Sequence, residues 1–184
     1  MRISMLFKNV LNDDMTPTVK IITKEELDRK IKTKSVLIDT EVVIKLFKFF
    51  VSRGNVEGAG LLRGQMCGEY LLIKDVYLCK NTKGTSTSAI ADTPSFSEVS
   101  KIKDGNQVVG LAHSHVGTIP VFMSGTDKAT QKDFQSMFSD SIAMVMNPFT
   151  PDGICFRFYR FEDGSIKQIR HGFLRYKNES KIQA

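Results

Sequence analysis

Residues 110–127, GLAHSHVGTIPVFMSGTD, contain two of the three histidines of the 184-residue chain and organise the rest of it. His113 and His115 end an apolar run that begins at Val108, a pattern typical of a buried strand. Since side chains of a strand alternate between its faces, both imidazoles should project from the same face. Asp127 follows where a helix should begin. Two imidazoles and one carboxylate, with a fourth position open, are the ligands of a catalytic zinc site.

Each of these residues also has an ordinary structural interpretation. A His-x-His pair occurs at strand ends by chance, and motif matches carry a real false-positive risk. Ser124 and Asp127 have the Ser-x-x-Asp spacing in which a serine caps a helix and an acid favours its N-terminus. Two histidines and a carboxylate also form the facial triad of non-haem iron oxygenases, but those enzymes usually sit on double-stranded β-helices, which the helices expected here fit poorly.

Composition and charge are those of a single-domain globular protein. Hydrophobic residues make up 41% of the chain and charged residues 25%, and no apolar run approaches the roughly 20 residues that span a bilayer. The three cysteines form no CxxC pair, which favours reduced thiols, and no signal peptide is evident, so we expect a cytoplasmic location. The net charge of +6 lies on the flanks of the chain, so we expect neither a nucleic-acid partner nor a membrane.

Periodicity and capping signals predict an α/β (α+β) domain in three layers, with helices packed on a mixed β-sheet. Residues 1–18 are expected to be a flexible tail or an added strand, residues 19–176 a single domain, and residues 177–184 a polar tail. The predicted strands are 35–39, 56–64, 69–78, 108–114, 141–146, 154–161 and 165–173. The predicted helices are 24–32, 40–53, a short one capped by Ser95, and 124–138.

The helix patterns also predict which side chains face the core. In the helix that follows Asp39, the inward positions are Val42, Val43, Leu46, Phe47, Phe50 and Val51. In the helix that follows Ser124, they are Phe134, Met137 and Phe138. Residues 66–68 are expected to form a hairpin turn, and the Asn147-Pro148 pair is expected to end a buried strand.

Glu57 is the candidate for a catalytic carboxylate that does not bind the metal. A glutamate before a strand is typically a surface residue, but Gly58, Ala59 and Gly60 are small and allow another segment to approach closely. A zinc hydrolase needs such a carboxylate to take a proton from water and pass it to the leaving amine.

The combination of these motifs resembles the JAMM (MPN+) family of zinc metalloproteases. The chain has Glu-x-x-Gly-Leu-Leu-x-Gly from Glu57, then His-Ser-His from His113, then Ser-x-x-Asp from Ser124. The resemblance runs from about Ser35 to Phe161. The family includes the proteasome-lid deubiquitinase, endosomal ubiquitin hydrolases and archaeal and bacterial relatives, and the motifs here are most similar to those of the archaeal ones. The resemblance implies an MPN domain of the cytidine-deaminase-like kind.

The resemblance also implies a role for each motif residue. His113, His115 and Asp127 would hold one Zn²⁺ per chain, Glu57 would act as general base and then acid when the zinc-bound water attacks, and Ser124 would hydrogen-bond the water or the oxyanion. The implied reaction removes ubiquitin or a ubiquitin-like protein from lysine, with a proteasome-like unfoldase as a conceivable partner. The alternative is an MPN scaffold or binding module with little activity unless a partner is present.

Three features depart from the family pattern. Val116 to Met123 is eight residues long, where the family usually has seven. Val116 stands where proline is usual, and Ala112 where a large aromatic residue is common. Because this loop follows the second histidine directly, we expect it to influence which substrate is accepted.

Overall fold

The computed structural model describes residues 35–80, 84–85, 91–151 and 153–174. The strands are β1 (Ser35–Asp39), β2 (Ala59–Cys67), β3 (Tyr70–Leu78), β4 (Gln107–Ser114), β5 (Ile142–Thr150), β6 (Gly153–Glu162), β7 (Ser165–Ile169) and β8 (His171–Leu174). The helices are α1 (Thr40–Ser52), α2 (Thr93–Val99) and α3 (Gly125–Met137). The predicted N-terminal tail, the predicted helix at 24–32 and the C-terminal tail lie outside the described residues.

The eight strands form one mixed sheet in the order β7-β6-β5-β4-β2-β3-β1-β8. The pairs β1–β3, β1–β8 and β4–β5 are parallel and the other four pairs are antiparallel. Although β6 and β8 are far apart in this order, the rings of Phe156 and Phe173 are in contact at 6.2 Å between centroids, so the sheet is curled. The expected mixed sheet with helices packed on it is confirmed.

Helices cover both faces of the sheet. The buried side chains of α1 pack with Leu62 of β2 and Met144 of β5. Those of α2 and α3 pack with Leu61 of β2 and Leu111 of β4. Leu61 and Leu62 are neighbours that enter opposite clusters, because successive strand residues point to opposite faces. The strand β4, which carries His113 and leads directly to His115, therefore lies in the interior of the sheet with a layer on either side.

The local signals for α1 are confirmed with one exception. The side chain of Asp39 accepts a hydrogen bond from the Glu41 N–H at 2.9 Å and caps the helix as predicted. The predicted inward positions are buried except for Phe47, which is half-buried, and Val51, which is 40% exposed. The prediction that Val51 faces the core is therefore wrong. Val51 lies in the last turn of α1, where the side chain is no longer covered by the sheet.

The other helix starts and core positions need two corrections. The N-cap of α2 is Asp92, whose carboxylate accepts from the Ser95 N–H at 2.7 Å, so Ser95 is a residue inside the helix rather than its cap. In α3, Phe134 is buried and Phe138 half-buried, but Met137 is 71% exposed. An isolated apolar side chain at a helix end does not have to enter the core.

Several predicted strand boundaries are also wrong. The hairpin turn lies at Gly68-Glu69, because Gly68 adopts a positive φ of 57° and residues 66–67 continue β2. The Asn147-Pro148 pair does not end β5, which continues to Thr150 through an irregular register. Such an irregularity accommodates a residue without an N–H inside a strand.

The last predicted strand is two strands. It breaks at Arg170, and the part that follows, β8, leaves β7 and pairs in parallel with β1. This pairing covers β1 and makes β8 the last strand of the sheet. Among the described residues, none of the helices is both long enough and apolar enough to span a bilayer.

Candidate active site

The end of β4 places the two histidines side by side. His113 is paired with Ala59 on one flank and Val145 on the other, and it is only 3% exposed. His115 lies one residue beyond the strand, but its N–H still donates to the Met146 carbonyl at 2.8 Å. The pairing therefore extends past the strand end, and the two imidazole rings lie 5.3 Å apart between centroids.

The imidazole of His115 is oriented by the loop that follows it. Its Nδ1 lies 2.5 Å from the carbonyl oxygen of Pro120, and since a carbonyl only accepts, Nδ1 carries the proton. The other nitrogen, Nε2, is then the one with a free lone pair. A ring that donates through one nitrogen to a carbonyl and binds a metal through the other is the usual arrangement of a histidine ligand.

A capping box at the start of α3 orients the carboxylate. Asp127 accepts the Ser124 N–H on Oδ2 at 2.7 Å, and Ser124 Oγ accepts the Asp127 N–H at 3.2 Å. The remaining oxygen of Asp127, Oδ1, lies 3.5 Å from Nε2 of His113. The capping interpretation is confirmed, and it leaves Oδ1 available to a metal, because Oδ2 alone accepts the Ser124 N–H.

The donor set fits a divalent metal ion. One ligand atom from each of His113, His115 and Asp127 lies within 4.8 Å of the others. Two atoms bound at about 2 Å to a tetrahedral zinc ion are roughly 3.3 Å apart, close to the distance between His113 Nε2 and Asp127 Oδ1. Nε2 of His113 is buried and has no hydrogen-bond partner among the described residues. Burial holds the pKa of His113 well below its usual range, which keeps the imidazole in the neutral form that metals bind.

Glu57 lies beside this cluster on the extension of β2. It is 4% exposed, and it precedes Gly58, whose N–H donates to Ser114 Oγ at 2.8 Å. The Ser114 N–H donates to the Gly58 carbonyl at 3.0 Å, so the residue between the histidines hydrogen-bonds the neighbouring main chain. Burial, and after it the charge of Asp127, raises the pKa of Glu57 to about 7. A carboxylate with this pKa is suited to take and return a proton near neutral pH.

We expect the buried carboxylate to make the stability of the metal-free protein depend on pH. In the unfolded chain Glu57 ionises near 4.5, whereas in the folded chain it keeps its proton to about 7, so stability falls as pH rises between these values. Glu57→Gln should remove this fall and be the more stable protein at pH 8 by roughly 1–2 kcal/mol. Urea unfolding at pH 5 and pH 8 measures the difference.

The control for this measurement is Glu41→Gln, which changes an exposed carboxylate at the start of α1. It should lower stability by less than about 1 kcal/mol and by a similar amount at both pH values. Equal pH dependence in the wild type and Glu57→Gln would show that Glu57 ionises freely in the folded protein.

The loop between His115 and Ser124 is anchored by residues that the sequence did not point to. The side-chain amide of Asn147 donates to the carbonyls of Gly117 and Ile119 at 3.0 and 2.7 Å. The hydroxyl of Tyr159 donates to the Val121 carbonyl at 3.0 Å. The eight-residue loop thus has a defined path over β5 and β6. The acceptors are main-chain carbonyls, which carry no sequence signal.

Asn147→Ala should release this loop. It removes the two hydrogen bonds to these carbonyls, and each is worth about 0.5–1.5 kcal/mol net, so we expect a loss of roughly 1–3 kcal/mol in the free energy of unfolding. The matched control is Asn55→Ala, at an exposed turn position. Urea denaturation compares the two, and equal midpoints would contradict the anchoring role.

The fold and the site together define a class of protein: an α/β domain whose interior strand delivers a His-x-His pair to a carboxylate from the next helix. No family model matches the chain. Curated relatives do, and they are members of the JAMM/MPN+ family, so the predicted resemblance of the chain to this family is confirmed.

Three of these relatives show the extent of the similarity. Ubiquitin carboxyl-terminal hydrolase RPN11 of Saccharomyces cerevisiae is 28% identical over 120 residues, which cover 62% of this chain and 39% of the relative. COP9 signalosome complex subunit 5b of Arabidopsis thaliana is 27% identical over 122 residues, covering 62% and 34%. The 26S proteasome non-ATPase regulatory subunit 14 of Dictyostelium discoideum is 27% identical over 144 residues, covering 71% and 46%. The match therefore spans less than half the length of each relative.

Proposed function

We propose that the chain is a zinc-dependent isopeptidase, a hydrolase that removes ubiquitin or a ubiquitin-like protein from lysine side chains. The observation that carries the proposal is the convergence of His113, His115 and Asp127 within 4.8 Å, next to the buried Glu57. The relative from Saccharomyces cerevisiae is named as a ubiquitin hydrolase, which supports the substrate class. The cytidine-deaminase-like layer arrangement, the similarity to archaeal relatives and the cytoplasmic location stay predictions.

In this proposal His113, His115 and Asp127 hold one Zn²⁺. When bound, the ion acts as a Lewis acid that lowers the pKa of water and polarises the scissile carbonyl. Glu57 takes the proton from the attacking water and later delivers it to the lysine amine as that amine leaves. Its pKa of about 7 lets it serve as base and acid in turn.

Ser124 stabilises the negative charge that develops on the carbonyl oxygen. Its Oγ accepts the Asp127 N–H at 3.2 Å, so the hydroxyl proton stays available for donation. The capping box also fixes the position of Oγ before substrate arrives. A donor fixed in advance stabilises the transition state without a reorganisation cost.

Phe122 gives the site an apolar wall. Its ring packs edge-on against His115 with centroids 5.2 Å apart, and 46% of the residue is exposed. An exposed aromatic ring beside the metal ligands is suited to contact the chain on either side of the scissile bond. The loop from Val116 to Met123 that carries this ring is therefore the segment through which we expect specificity to be set.

The experiment combines metal analysis with a cleavage assay. Purified protein should contain about one zinc per chain and release a ubiquitin-like protein from a lysine-linked conjugate. A chelator should abolish cleavage, and one equivalent of zinc should restore it. Stable assembly with partner proteins but no cleavage, with or without them, would favour the scaffold alternative. Iron in place of zinc would favour the oxygenase alternative.

A further inference from the structure

The main chain of Gly84 and Thr85, between β3 and α2, lies directly on the peptide of Glu57. The Glu57 N–H donates to the Thr85 carbonyl at 2.8 Å. A Cβ added to Gly84 would lie 2.1 Å from the Glu57 carbonyl oxygen and 3.0 Å from Cγ1 of Val56. The first of these contacts is far shorter than any real Cβ contact, and its partner is a backbone atom that cannot rotate away. Only glycine permits this approach.

Glu57 is held equally closely from the opposite side. Two hydrogen bonds join Gly58 to Ser114. The Gly58 N–H donates to the Ser114 hydroxyl oxygen at 2.8 Å, and the Ser114 N–H donates to the Gly58 carbonyl at 3.0 Å. Ser114 stands between the two histidines. The residue pair 57–58 is therefore fixed between the strand that carries the metal ligands and the 84–85 main chain. A shift on either side would move the carboxylate relative to the ligands.

We propose that Gly84 is a positioning residue: because it has no Cβ, the 84–85 main chain reaches the Glu57 peptide and fixes the backbone from which the carboxylate projects. This inference rests on the proposed role of Glu57 as the base. Gly84 contacts the main chain of Glu57 and acts on the reaction through that residue alone.

Gly84→Ala tests the inference. The added methyl forces the two main chains apart by about 1 Å, and a misplacement of this size costs on the order of 10²-fold in rate. We therefore expect kcat to fall roughly 10- to 100-fold while KM stays within about threefold, because the metal ligands and the 116–123 loop do not move. Zinc content should be unchanged.

The matched control is Gly64→Ala. A Cβ at Gly64 would lie 1.8 Å from the Leu72 carbonyl oxygen, a main-chain clash at least as severe, but at the other end of β2 from Glu57. Gly64→Ala should lose stability and keep the kcat of its folded fraction. This comparison separates positioning of Glu57 from a general loss of stability.

Amide hydrogen exchange by NMR gives a readout that needs no activity. In the wild type the Glu57 amide should exchange at least about 100-fold more slowly than an unfolded peptide, since it is hydrogen-bonded to Thr85. In Gly84→Ala the protection of the Glu57 amide from exchange should fall by about tenfold or more. The protection of the Ser114 amide should be unchanged. If Gly84→Ala does not fold, the wild-type measurement still decides, because an unprotected Glu57 amide overturns the inference.

The two readouts also separate this inference from the proposed function. A wild type without isopeptidase activity removes the proposed function, while Glu57 exchange still tests the contact. An active wild type with an unchanged kcat in folded Gly84→Ala, or an equal fall in Gly64→Ala, overturns the positioning role and leaves the proposed function intact.

Discussion

Replacement of Glu57 by glutamine is expected to lower kcat by roughly 10³-fold, the contribution typical of general acid–base catalysis, and to leave zinc in place. Glutamine has nearly the same shape and fills the same buried position, but it cannot take a proton from water. Glu57 is not among the three residues whose ligand atoms converge, so the metal should stay. The measurements are kcat on a lysine-linked ubiquitin-like conjugate and zinc per chain by elemental analysis.

Glu41→Gln is again the control, because it removes one carboxylate at an exposed position of α1. It should keep both activity and zinc. Full activity in Glu57→Gln would contradict the assignment of Glu57 as the general base. Loss of zinc in the same variant would mean that Glu57 is a metal ligand.

The second large effect is expected for His113→Ala. This change removes a buried imidazole whose Nε2 has no protein hydrogen-bond partner among the described residues and faces Asp127 at 3.5 Å. Removing a residue that only hydrogen-bonds a metal ligand already lowers metal affinity by about 10- to 100-fold. Removing the ligand itself should therefore lower the affinity by more than about 100-fold. We expect no detectable cleavage at equimolar zinc, and the zinc affinity is measured by competition with a chromophoric chelator.

His171→Ala provides a close control for this variant. The Nε2 atom of His171 is also buried and has no hydrogen-bond partner in the described part of the chain. Burial lowers the pKa of His171 to about 4. Its ring packs against Phe156 and Phe158 with centroids 5.0 and 5.2 Å apart, away from the metal cluster. The variant should lose stability and keep zinc. If His113→Ala retained one tightly bound zinc, the proposed ligand set would be wrong.

The parts of the fold that follow from local signals were predictable from the sequence. The cap at Asp39 and the apolar period after it define α1, and the apolar run that ends at His113 defines β4. The parts that depend on distant partners were not. The strand β8 exists because it pairs with β1, more than a hundred residues earlier in the chain, and nothing within residues 165–173 marks the change of partner at Arg170.

The same division holds for the candidate site. Strand alternation brings His113 and His115 together, the cap spacing adds Asp127, and the chemistry of hydrolysis pointed to Glu57. In the structure the ligand atoms of His113, His115 and Asp127 lie within 4.8 Å of one another, and their role as metal ligands stays a prediction. The residues that anchor the loop between His115 and Ser124 were not predicted in that role. Asn147 and Tyr159 bind main-chain carbonyls about 30 and 38 residues away, and such contacts leave no pattern in the sequence.

The capping box of α3 couples the first turn of the helix to the candidate metal cluster. One oxygen of Asp127 closes the first turn of the helix, and the other faces the imidazole of His113 at 3.5 Å. By linkage, a metal bound to the other oxygen would stabilise the first turn of the helix, because the same carboxylate closes that turn. The start of α3 would then fray less in the metal-loaded protein than in the metal-free one.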